Sequence, residues 1–307
     1  MTALLADTIA KRHEPGAGHP ESPARFDAVL RGLAEYQLTP FTPRAATEDE
    51  LGLCHTRPYI RMARREVEEG FSQLSTGDTS VCHNSYEVAL RATGTVLHAV
   101  DLLCTGQAAN AFCVVRPPGH HATTDRGMGF CLFNNVAVGA RYAQKKHGLE
   151  RVLIVDWDVH HGNGTQDIFY EDGSVLFFST HQYPWYPGTG AADETGEGKG
   201  AGLTINCPLP SGSGRPEVWS AFQEKLIPAA EAFRPDLIMV SCGFDSRVGD
   251  PLGQFLLEDG DFADLTRVLR DIAAKHAGGR LVSVLEGGYN PFGLMRAAKA
   301  HASVLEE

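Results

Sequence analysis

Short apolar runs bounded by polar or glycine-rich stretches recur at residues 111–115, 152–155, 175–178, 237–241 and 281–285. Continuous apolar runs of this length mark strands buried on both faces, as in a parallel sheet. Helical periodicity lies between several of them, over residues 23–36, 85–103, 134–147, 216–233 and 261–276. Strands alternating with helices predict an α/β fold whose parallel sheet is covered on both faces. No linker rich in proline, serine or glycine splits the chain and no repeat is visible, so residues 1–307 read as a single domain. Residues 184–202 hold Pro187-Gly188-Thr189-Gly190 and Gly196-Glu197-Gly198-Lys199-Gly200. So much glycine predicts a long loop, either a surface excursion or the wall of a site. It neither follows a strand nor opens a helix, which argues against a phosphate-binding loop.

Composition narrows the class. Of 307 residues, 43% are hydrophobic and 21% charged, ordinary for a globular enzyme with a sizeable core. No apolar stretch approaches the roughly 18 to 20 residues of a membrane span. Residues 1–13 lack the basic start and long apolar segment of a signal peptide, so a cytoplasmic location is expected. The seven cysteines show no CxxC or CxxH spacing, which supports neither a disulfide framework nor a cysteine metal site. They are expected to be buried small residues. A net charge of −11 argues against a nucleic-acid surface, and it either suits a cationic substrate or serves solubility alone.

The candidate chemistry follows the apolar runs. Asp156-Trp157-Asp158-Val159-His160-His161-Gly162-Asn163-Gly164 succeeds the run at 152–155. In an extended strand, period two puts Asp156, Asp158 and His160 on one side. Carboxylate and imidazole together suit a zinc-like ion, which takes three protein ligands in catalytic sites. Two ligands come from this segment and a third from Asp245, which follows the run at 237–241 through Cys242-Gly243-Phe244. In open α/β sheets ligands bind beyond the carboxyl ends of strands, where the two segments can meet. Arg116-Pro117-Pro118-Gly119-His120-His121 places paired imidazoles on a stiff turn after another run, as proton-transfer candidates. Gly127-Met128-Gly129-Phe130-Cys131-Leu132-Phe133 offers small and aromatic residues for a narrow apolar channel, although Leu132 and Phe133 also read as core packing. Glu286-Gly287-Gly288-Tyr289-Asn290 follows the last run, and its two glycines allow a backbone path that aims a phenol at a developing oxyanion.

Together with Gly18-His19-Pro20-Glu21-Ser22-Pro23-Ala24-Arg25 and residues 187–190, these motifs closely resemble the histone deacetylase superfamily, in family order from about residue 7 to 305. The Gly243-Phe244-Asp245-Ser246, Gly249-Asp250-Pro251-Leu252-Gly253 and Glu286–Asn290 forms are similar to the class II branch and its bacterial relatives. The resemblance implies the arginase/deacetylase α/β fold, with a parallel sheet of about eight strands between helices. It implies Asp158, His160 and Asp245 as zinc ligands, with Fe2+ able to substitute. His121 becomes general base and acid, and His120, oriented by Asp156, an electrostatic partner. Tyr289 would donate to the carbonyl oxygen. Gly129, Phe130 and Tyr186 would line the acyl-lysine channel, with Leu252 near its mouth and Asp78 at the rim gripping substrate backbone amides. Asp156, Ser179 and carbonyls around Asp158, His160 and Thr180 would surround a structural potassium ion.

The resemblance makes the chain a zinc-dependent amidohydrolase acting on acetylated lysine in peptides or proteins. An acetylated small amine such as an acetylpolyamine is the alternative substrate, and a weakly active acyl-lysine binding module a lesser one. Neither nucleic acid nor membrane is implied as a partner. Polyamine-preferring relatives carry glutamate where Leu252 stands, which favours acyl-lysine. An arginase-like pair of manganese ions would need more metal carboxylates than these motifs supply. Asn163 departs from the acid that many class I members pair with the second histidine.

Overall fold

Eight strands, three more than the apolar runs mark, form one sheet in the computed structural model, which describes residues 1–307. They are β1 (Thr2–Ala6), β2 (Thr39–Phe41), β3 (Asn110–Val114), β4 (Val152–Asp156), β5 (Val175–Gln182), β6 (Thr204–Leu209), β7 (Leu237–Cys242) and β8 (Leu281–Leu285). Their order is β2-β1-β3-β8-β7-β4-β5-β6 and every ladder is parallel. The single α/β domain expected from the alternation is therefore what forms.

Alternation along each strand divides the apolar residues between two cores. Leu153 and Val155 of β4 pack with Phe112, Ile238 and Val240 on one face. Val152 and Ile154 pack with Cys113, Met239 and Val282 on the other. Helices Ala24–Leu33, Asp259–His276 and Pro291–Glu306 cover the first core, and Ser85–Cys104 and Asn135–His147 the second. Leu132 and Phe133 belong to a third, smaller core with Tyr59 and Tyr86, so packing is their role.

The helix expected over 216–233 is interrupted. It runs as Arg215–Ala221 and Ile227–Phe233 around a π turn, Phe222–Leu226, in which the Ile227 N–H reaches back to the Phe222 carbonyl. Pro228 lies just beyond, has no N–H and would clash with a carbonyl four residues back, so the looser turn relieves the conflict. Helix Arg57–Glu68, the short helices Glu48–Leu51 and Asn163–Phe169, and the final helix Pro291–Glu306 were not expected from the runs.

Candidate active site

Four neighbouring strands, β3, β8, β7 and β4, carry chemical residues just past their carboxyl ends, so the sheet itself gathers the motifs. β4 stops at Asp156 and the chain then turns. Period two consequently does not persist, and the three residues expected on one side part company. Asp158 and His160 meet Asp245, with their ligand atoms all within 4.8 Å of one another. His160 Nδ1 lies 2.9 Å from Asp158 Oδ1 and 3.2 Å from Asp245 Oδ2. Asp156 instead turns its Oδ2 to His120 Nδ1 at 2.9 Å, while its Oδ1 accepts from the Asp158 N–H at 3.1 Å.

The trio is held by the backbone around it. The Val159 N–H donates to Asp245 Oδ1 at 2.8 Å, and the Gly287 N–H to Asp158 Oδ2 at 2.8 Å. A Cβ on Gly287 would collide with the Asp245 and Asp158 carboxylate oxygens, so only glycine lets this loop pass. Burial, with the Asp158 charge beside it, pushes the Asp245 carboxyl up to about 7. Asp245 Oδ2 is buried with no hydrogen-bond partner. Crowded carboxylates with an oxygen left over beside an imidazole make a donor set that a divalent cation satisfies.

His120 and His121 stand next to this floor with rings 4.0 Å apart. Burial opposes a proton on His120, but Asp156 and Asp158 prevail and raise its pKa to about 10. His121 is lowered well below the ordinary histidine value by burial and by the neighbouring His120 and His160. Its Nδ1 lies 2.8 Å from Asn163 Oδ1. An amide oxygen only accepts, so Nδ1 carries the hydrogen and Nε2 is left as the base.

Above the floor opens a cavity of about 260 Å³ lined by Asp78, His121, Gly129, Phe130, His160, Trp185, Tyr186, Pro251, Leu252 and Tyr289. All five expected channel residues are there. Gly129 has φ +57 and its missing Cβ would strike the His121 ring, so glycine here brings the channel wall against the imidazole. Asp78 Oδ1 accepts from the Gly129 N–H at 2.7 Å and so braces that wall. Trp185, not anticipated, caps the mouth and donates from Nε1 to the Leu252 carbonyl at 3.0 Å. The Tyr289 ring faces Phe130 at 5.9 Å and has the Arg25 guanidinium 4.9 Å from its centre.

Behind the pocket lies a buried ion network whose residues sit inside the recognised motifs but whose role the chain's order hides. Arg116 donates to both Glu21 oxygens, at 2.5 and 2.6 Å, and to the Ala10 and His13 carbonyls. Burial opposes its ionisation, but Arg116 and His13 hold the Glu21 carboxyl well below the carboxylate range. Arg25 bonds Glu21 and the carbonyls of Gly288 and Glu286, fixing the approach to Tyr289. Glu286, pushed up to about 7 by burial, accepts from the Gly119 and His120 N–H groups at 2.6 and 3.2 Å. Hydrogen bonds thus run from Glu21 and Arg25 of the N-terminal motif to the segments that carry Tyr289 and His120. On the other side of β4, Asp156 stands opposite Ser179 in the β4–β5 ladder and both are fully buried, as is Thr180. The Ser179 hydroxyl pairs with His181 Nδ1 at 2.9 Å.

Fold and site together define a parallel α/β protein whose deep pocket ends on a candidate metal centre. Residues 19–305 match the model of the histone deacetylase domain. Histone deacetylase 10, chloroplastic, of Oryza sativa is 42% identical over 94% of this chain and 69% of its own length. The histone deacetylase-like amidohydrolase of Pseudomonas aeruginosa is 42% identical over 89% and 73%. Polyamine deacetylase HDAC10 of Homo sapiens is 42% identical over 88% of this chain, which spans only 42% of that protein. The crystal structure of the HDA15 HD domain superposes with a TM-score of 0.93 at 38% identity, covering 99% of this chain and 90% of that one. The chain belongs to the histone deacetylase family and is an enzyme acting on amides.

Proposed function

We propose that residues 1–307 form one catalytic domain that removes acetyl groups from the side-chain amine of lysine in a zinc-dependent hydrolysis. The observation that carries the reading is the buried Asp158, His160 and Asp245 cluster at the foot of a narrow cavity that His121 and Tyr289 also line. Zinc held by that trio would polarise the acyl carbonyl and lower the pKa of a water to about 7, with Fe2+ able to substitute.

The chain's own groups do the rest. His121 Nε2, left free by the Nδ1 bond to Asn163, takes the proton of the attacking water. The Tyr289 hydroxyl donates to the carbonyl oxygen as negative charge builds there. When the C–N bond breaks, His121 returns its proton to the departing amine, so acid and base are one residue. His120 stays protonated against Asp156 and adds positive charge beside the developing anion. Phe130, Tyr186 and Gly129 exclude water around the methylene stem of the lysine, and Leu252 and Asp78 flank the mouth. A potassium ion near Asp156, Ser179 and the carbonyls of Asp158, His160 and Thr180 is part of the same proposal. Dependence of the melting temperature on potassium rather than sodium tests it. Seven unpaired cysteines suit the reducing cytoplasm.

A second reading, hydrolysis of acetylpolyamines, is favoured by the similarity to the human polyamine deacetylase. The apolar wall of Trp185, Pro251 and Leu252 supports acyl-lysine instead, because position 252 offers a distant ammonium no partner, while Asp78 on the rim is the carboxylate through which a polyamine could still be held. Acetate release from acetyl-lysine peptides, acetylputrescine and acetylspermidine by zinc-loaded protein separates the two. Faster peptide turnover, reduced on the order of 100- to 1,000-fold in Tyr289→Phe, is expected. Faster polyamine turnover would move the enzyme to small-molecule amides, and no turnover of any of them would contradict both readings.

A further inference from the structure

Arg25 and Asp158 hold the chain as far as Gly288, and Tyr289 follows directly after these contacts. Residues 286–290 link β8 to the final helix without regular structure, and Gly287-Gly288 precede the tyrosine, Gly288 with φ +117. The backbone N–H groups of Tyr289 and Asn290 both donate to one carboxylate oxygen, Asp250 Oδ2, at 2.7 and 3.2 Å. The other oxygen of the same carboxylate accepts from the Leu252 N–H at 2.9 Å. A second tie runs the opposite way, from Asn290 Nδ2 to the Gly249 carbonyl at 3.0 Å. One half-buried carboxylate thus joins the turn that forms the mouth wall to the backbone of the proposed oxyanion donor.

We propose that Asp250 is a positioning residue: by accepting from Tyr289, Asn290 and Leu252 it fixes the phenol of Tyr289 and the wall at Leu252 as one unit. Hydrogen bonds from backbone N–H groups to an ionised carboxylate are among the stronger ones, which suits a tie that continues the Arg25 and Asp158 contacts on residues 286–288 to Tyr289 itself. Asp250 touches no reacting atom, so its effect passes through Tyr289. The proposal rests on the role given to Tyr289 above. It predicts a loss in kcat, since a donor misplaced by about 1 Å costs on the order of 100-fold.

The test is a double-mutant cycle on acetate release, with Asp250→Asn, Tyr289→Phe and both together. Asp250→Asn keeps the shape and one acceptor oxygen but turns an amide NH2 toward backbone donors. The expected result is a kcat reduced on the order of 10- to 100-fold with zinc content unchanged. In the Tyr289→Phe background the same substitution should cost no more than about twofold. Equal losses in both backgrounds, or an unchanged kcat, would overturn the positioning role. Full activity in Tyr289→Phe alone would overturn the reading of Tyr289 itself and this proposal with it. Hydrogen exchange in the unmodified protein gives a second reading that needs no variant to fold. Slow exchange of the Tyr289 and Asn290 amides is expected, and exchange at the rate of an open loop contradicts the tie.

Discussion

His120 and His121 are adjacent in the chain and their rings lie 4.0 Å apart, yet their pKa values are shifted in opposite directions. His120 faces the Asp156 carboxylate, which with Asp158 outweighs burial and raises its pKa to about 10, whereas His121 faces the Asn163 amide and is lowered by burial and by His120 and His160. A carboxylate stabilises an imidazolium strongly, while an amide oxygen fixes the tautomer and raises basicity too little to offset burial and the neighbouring histidines. In the proposed mechanism this difference divides electrostatic support, given to His120, from proton transfer, given to His121. His301 extends the series: fully buried between the hydroxyls of Thr266 and Ser283, it is lowered to about 3 by burial alone.

Removing the neutral member should have the largest effect. His121→Ala is expected to lower kcat on the order of 1,000-fold, read by acetate release, with zinc content retained. Activity near that of the unmodified enzyme would end the division of labour. A carboxylate placed at the mouth, away from either histidine, should alter choice of substrate rather than chemistry. Leu252→Glu is expected to move the ratio of acetylspermidine to acetyl-lysine peptide turnover about tenfold toward the polyamine. An unchanged ratio removes Leu252 as the discriminating position.

Asn163→Asp sharpens the comparison by giving His121 the partner type that His120 has. The base form of His121 must be unprotonated, so activity falls as pH falls through its pKa, which burial and the neighbouring histidines place below the ordinary value. An added carboxylate raises that pKa, and the acid limb of kcat/KM should move up by about one pH unit. A limb that does not move would mean that another group sets it. The last effect concerns stability rather than activity. The unfolded chain protonates His301 near 6.5 and the folded one only near 3. In that window the unfolded state binds the extra proton, so stability is complete above 6.5 and declines as pH falls. By pH 4.5 this one group is expected to cost on the order of 3 kcal/mol in urea unfolding, a loss His301→Gln should reduce.

The parts legible in the sequence are those in which local pattern and chemistry coincide. β4, β7 and β8 are continuous apolar runs, because both faces of a central strand are buried, and each ends on a motif. β2 is the edge strand and only three residues long, and β1 beside it has two of its five residues half-buried, so neither carries a signal like that of the central strands. β6 is the other edge and contains Pro208. At the site, the grouping of Asp158, His160 and Asp245 as a candidate ligand trio was readable, and the structure brings the three together. Period two alone put Asp156 beside them and only the family resemblance set it apart with His120, because the separation depends on β4 ending at that residue. The network of Glu21, Arg25, Arg116 and Glu286 was equally hidden, since charged residues do not announce burial and their pairing joins segments as much as 263 residues apart. Asp250 is of the same kind: its carboxylate looks like an ordinary turn residue until the Tyr289 backbone is seen beside it.

Metal content measured on the isolated protein after zinc loading, beside Asp245→Ala, tests the centre of this picture most directly. One zinc per chain, lost together with acetate release in a variant that still melts cooperatively, is the expected result. Full acetate release after the metal has been stripped, or two metals bound per chain, would contradict it.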